Sequence, residues 1–175
     1  MGLIWQRFLA WLNRWAQYPV TVPQEPIKHV PLPPIPPPPK TLREKIHQNA
    51  LMWIGRDASP KNLAPKELSC AESVANILHE VLPTFPKDIV STIELQSILD
   101  KHSNFERTLI PKPGCVLVSP RIGDRPGHSG FFTTGNGIIS NDSKTGRMQL
   151  NYDLNSWIRE MKEKRGLRIF IWNPL

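Results

Sequence analysis

Two cysteines among 175 residues cannot build a disulfide framework or a four-thiolate zinc site. No apolar run reaches the about 18 residues that would cross a bilayer as a helix. No segment repeats, which excludes solenoids and propellers. The five histidines, His29, His47, His79, His102 and His128, are scattered and form no His-x-x-x-His pair, so neither a metal nor another cofactor is expected. No basic stripe interleaved with aromatics follows the N-terminal segment, and the net charge of +7 comes from 22 basic and 15 acidic side chains of mixed order. Nucleic acid is therefore not an expected partner. An anionic surface, such as a cell-wall polymer or acidic lipid, suits the charge.

Proline is abundant but uneven: ten of the 19 fall between Pro19 and Pro39. That run divides the chain into an N-terminal segment 1–17, a linker 18–40 and a globular domain 41–175. In the first segment Ile4, Trp5, Phe8, Trp11, Leu12 and Trp15 recur at helical spacing, with Arg7 and Arg14 on the other side. Such an amphipathic helix either lies in a membrane interface or docks on a protein. It is too short and too charged to span, and it lacks the order of a signal peptide. The linker reads as a stiff polyproline II rod that would hold a working domain away from an anchor.

The domain opens on a capping box, Thr41-x-x-Glu44, with Leu42, Ile46 and Trp53 on one face. Two more boxes, Ser69-x-x-Glu72 and Ser91-x-x-Glu94, open further helices. The period then shortens. Residues 115–119, 128–133 and 137–141 read as strands, a last helix starts at Asp153, and 167–172 is a final strand. Helices first and antiparallel strands later give an α+β fold.

Cys70 stands at the first position of the second helix, where unpaired N–H groups and the helix dipole favour a thiolate and lower its pKa. It also lies on the apolar stripe with Val74 and Ile77. Position alone leaves both a nucleophile and a small buried cysteine open. A nucleophile needs a base, and His128 begins a strand directly after Gly127, where a helix end can approach. A hairpin around Thr134-Gly-Asn-Gly137 follows. If Thr133 pairs with Ile138, Asn141 shares the face of His128, while Ser140 and Asp142 point away; a one-residue slip nominates Asp142 instead. Asp57, Ser59 and Asn62 line a substrate groove or form an ordinary polar loop.

Leu68-Ser-Cys-Ala-Glu-Ser-Val, Pro113-Gly-Cys-Val-Leu-Val and Gly127-His-Ser-Gly-Phe-Phe, followed by a Gly-Asn-Gly turn and a polar strand end, occur in an order that resembles the CHAP and NlpC-like cysteine amidase/peptidase superfamily. The resemblance covers roughly residues 45–172. It implies a papain-like fold, with the nucleophile helix packed on a small antiparallel sheet. It also implies a thiol hydrolase that cuts an amide bond of bacterial peptidoglycan, as phage lysins and virion-borne wall hydrolases do. By the same resemblance Cys70 is the nucleophile, His128 the base and Asn141 the third polar residue, with a thioester intermediate and no metal. The family's usual acidic residue after Pro-Gly is replaced by Cys115, read as a packed strand residue, and both thiols are expected to be reduced. The implied location is the cell envelope or a phage particle, with residues 1–17 contacting a membrane or a protein partner. Two other readings stand beside this one. One is a catalytically idle assembly module of the same fold; the other is a cysteine hydrolase or acyltransferase acting on protein or lipid.

Overall fold

The computed structural model describes residues 41–65 and 68–175; the expectations for the N-terminal helix and the proline rod lie outside the described residues. These all belong to one unit, Pro37–Leu175. Helix α1 (Leu42–Met52) begins at the expected box, with the Thr41 hydroxyl accepting from the Glu44 N–H and the Glu44 carboxylate accepting from the Thr41 N–H. Helix α2 (Cys70–Val81) and helix α3 (Thr92–Lys101) follow. The other two boxes do not close as expected. Ser69 makes no side-chain cap, its backbone at φ −77° and ψ 8° being outside the extended conformation of a cap, and Glu72 turns inward, fully buried, and accepts from the Ser59 hydroxyl at 2.5 Å. The Ser91 hydroxyl accepts from Ile93 N–H instead of Glu94 N–H.

Six strands form one antiparallel sheet: β1 (Phe105–Arg107), β2 (Val116–Ser119), β3 (His128–Phe132), β4 (Gly137–Asp142), β5 (Arg147–Asp153) and β6 (Phe170–Pro174), in the order β1-β6-β2-β3-β4-β5. The expected α+β, papain-like class is what the chain forms. Strands β1 and β5 escape the sequence reading. β1 is three residues long, and only one of them is buried. β5 does alternate, Met148, Leu150 and Tyr152 against polar neighbours, but it is a largely exposed edge strand.

Helices α1, α2 and α3 cover one face of the sheet. Val74, Ile77, Leu78, Val116, Val118 and Phe131 are among the side chains that close this main core. The other face carries a smaller core of Cys115, Leu117, Phe132 and Ile138 under Trp157, Met161 and Leu167. The cover comes from helix α4 (Leu154–Ile158), which runs directly into a π-helical turn, Arg159–Lys164. Because both faces are covered, β2 and β3 are buried at every position, which is why they read in the sequence as continuous runs and not as alternation.

Candidate active site

Cys70 occupies the first position of α2, as its place in the sequence implies, and is 4% exposed. The helix start does not control its acidity. Burial pushes the thiol pKa up; hydrogen bonding from Ser129 and from the N–H groups of Ala71 and Cys70 acts in the opposite direction and is outweighed. The expected lowering is therefore reversed, because a charge loses more on leaving water than the first helical turn returns. The resting form is a thiol. Cys70 opens onto a groove of about 240 Å³ that is also lined by Leu68, Val90, Arg121, Asp124 and Gly127. Asp57, Ser59 and Asn62 do not line that groove: Ser59 is committed to Glu72, and Asp57 accepts from the Ser59 N–H.

His128 is the first residue of β3, one position before the serine that meets Cys70. Its ring lies on the α4 side of the sheet, stacked on Trp157 with centroids 5.1 Å apart and edge-on to Tyr152 at 5.7 Å. The Tyr152 hydroxyl is near enough to Cys70 for a thiolate there to raise its pKa, although burial raises it more. Burial, helped by the Arg165 guanidinium and opposed by Glu160, lowers the His128 pKa from 6.5 to about 4. The ring is neutral at pH 7, and its burial opposes taking up a proton. Arg165 also donates to Glu160 at 3.1 Å and to the Pro126 carbonyl at 3.4 Å, so the end of the π-helical turn holds the loop that leads into His128.

Gly127 sets how closely the loop before His128 packs. A Cβ there would lie 2.3 Å from Thr92 Oγ1 and 2.6 Å from both Arg121 N and Ser119 O. This loop can approach α3 and β2 so closely only because residue 127 has no side chain.

The hairpin register, on which the choice of Asn141 rested, differs from the expectation. The hairpin pairs Phe132 with Ile138 and Gly130 with Ser140, one residue away from the expected register. The cause is the turn. Thr134–Asn136 form a three-residue 3-10 loop, with Gly135 and Asn136 both left-handed at φ 66° and 60°, closed by Thr133 N–H to Gly137 O. Ser140 therefore comes to the His128 side, and its Oγ lies 3.1 Å from His128 Nε2. By strand alternation Asn141 turns to the helix side with Ile139, buried at 1% exposure. Asp142, the alternative, spends its carboxylate on Lys144 N–H and Thr145 Oγ1. Ser140 was identified by neither register argument; a polar residue two positions along the paired strand, on the histidine's own face, is the signal that marks it.

Cys115 is fully buried in the smaller core, on the opposite side of the sheet from Cys70. Its sulfur accepts from Lys112 N–H at 3.3 Å, and both cysteines are free. No helix among the described residues is long and apolar enough to cross a membrane.

No family model matches the chain, and no curated protein is significantly similar to it in sequence. Solved structures do resemble it. The crystal structure of the type VI native effector-immunity complex Tae3-Tai3 from Ralstonia pickettii includes a chain that superposes with a TM-score of 0.50 at 16% identity, covering 78% of this chain and 100% of that one. At that identity the likeness supports the papain-like α+β fold alone.

Proposed function

We propose that this protein is a cysteine hydrolase that cleaves an amide bond of peptidoglycan. One observation carries the reading: the N-terminus of a buried helix brings the Cys70 thiol to Ser129 of β3, the residue that follows a neutral histidine whose Nε2 is engaged by a strand hydroxyl. In this reading the pair rests as thiol and imidazole, since burial disfavours both charges. Proton transfer from Cys70 to His128 accompanies attack of the sulfur on the amide carbonyl. The carbon–sulfur bond forms and the oxyanion is met by backbone N–H groups, that of Cys70 among them. The carbon–nitrogen bond then breaks as His128 returns the proton to the leaving amine. Water, deprotonated by His128, hydrolyses the thioester and restores the thiol. Ser140 takes the orienting part that the family resemblance gives to Asn141.

Arg121 and Asp124 place both signs of charge in the groove, which suits a wall peptide that carries carboxylate and amine groups. The net charge of +7 suits an anionic wall. A location in the cell envelope or on a phage particle follows from the same reading. A protein partner, through residues 1–17 or over the groove, is proposed with it, since the similar solved structure is an effector-immunity complex.

The test is incubation of purified wall material with the intact protein and with Cys70→Ala and His128→Ala, followed by mass spectrometry of the released fragments. New amine and carboxyl ends with the intact protein, absent with both folded variants, support the reading. Wall binding without cleavage by the intact protein would replace it with the idle assembly module.

A further inference from the structure

We propose that Asn151 is a positioning residue that fixes the tautomer of His128 through Ser140. Between Ile138 and Ile139 the β4–β5 ladder carries an irregularity: Ile138 pairs with Tyr152 and Ile139 with Leu150, leaving Asn151 as the extra residue of a bulge. A bulge resets the alternation of side chains. Asn151 and Tyr152 are consecutive, yet both reach the His128 side: Asn151 touches Ser140, and Tyr152 touches the ring.

The hydrogen bonds around Asn151 have one consistent direction. Its Nδ2 donates to the Asn141 carbonyl at 3.3 Å. A carbonyl only accepts, so the amide nitrogen lies on that side and Oδ1 on the other. Oδ1 also only accepts, so the 2.7 Å contact with Ser140 Oγ is a donation from the hydroxyl. That hydroxyl has one hydrogen. At its 3.1 Å contact with His128 it must accept, and Nε2 must carry the ring proton. Nδ1 is left with the lone pair. A buried ring in the other tautomer would set the Nε2 lone pair against the oxygen of Ser140, with no donor between them.

The inference rests on reading His128 as the base, but its first test needs no substrate. Long-range proton–nitrogen correlation spectra of the histidine rings tell a protonated nitrogen from a bare one. The full chain is expected to show His128 protonated at Nε2 and bare at Nδ1 near pH 7. Asn151→Leu, which keeps the bulk and loses the acceptor, is expected to give a mixture of tautomers. It should also lower kcat on wall fragments about tenfold or more, with little change in KM. Asn151→Asp, which keeps an acceptor oxygen facing Ser140, is expected to restore the single tautomer and most of kcat.

A bare Nε2 in the unaltered protein, an unchanged tautomer in Asn151→Leu, or a mixture in Asn151→Asp would each overturn the inference. If Asn151→Leu does not fold, the unaltered chain and Asn151→Asp still decide it. The expected spectra from a protein that cleaves no wall material would leave the positioning role standing and remove the hydrolase.

Discussion

Removing the imidazole of His128 should change how folding stability depends on pH, and the size of that change follows from its burial. The ring is 8% exposed and titrates at about 4 in the folded protein, against 6.5 for an ordinary histidine. Between those values the unfolded chain binds a proton that the folded chain refuses, so this contribution to stability is complete above pH 6.5 and is lost as pH falls toward 4. The full difference corresponds to about 3 kcal/mol, of which roughly 2.5 kcal/mol falls between pH 7 and pH 4.5. Urea unfolding of the intact protein and of His128→Gln, at half-unit steps across that window, measures it. Glutamine fills much of the same space and does not titrate. His47 is also held below its usual pKa by burial, but it is common to both proteins and cancels in the comparison. The intact protein should lose about 2.5 kcal/mol more than the variant between pH 7 and pH 4.5. Parallel curves would show that His128 is solvated in the folded state, and the account of a neutral resting base would fall with it.

Three further outcomes are expected. Cys70→Ala should abolish wall cleavage with little change in the thermal midpoint, whereas Cys115→Ser should keep activity and lose about 1–2 kcal/mol in urea unfolding, because a more polar atom enters the smaller core; a dead Cys115→Ser would name the wrong nucleophile. Gly127→Ala should destabilise by about 1–3 kcal/mol and depress activity, since its Cβ would meet two backbone atoms and Thr92 Oγ1 well inside contact distance; an unaltered melt would mean that the loop yields freely. Full-length chain should bind anionic vesicles with a blue shift in tryptophan emission, and Arg7→Glu with Arg14→Glu should weaken that binding by about 1 kcal/mol per residue. No vesicle binding at low salt would favour a protein partner for residues 1–17.

Local chemistry by itself determined much of this protein. Capping at Thr41 and Glu44, the apolar stripe of α2, and the run that begins at His128 are short-range signals, and each element forms where the residues place it. The position of Cys70 at a helix start and of His128 at a strand start was legible for the same reason. The acidity of Cys70 was not, because it depends on how much water the rest of the fold removes from the sulfur. The partner of His128 was not legible either. One residue more or less in the 133–137 turn moves every side chain of β4 to the other face, and a Gly-Asn-Gly sequence permits turns of either length. Asn151 was hidden more deeply. It sits on an edge strand exposed enough to read as loop, and it faces Ser140 because the ladder bulges at that residue. Tertiary pairing decided these features because register and bulges are properties of two strands together, and neither strand carries them alone.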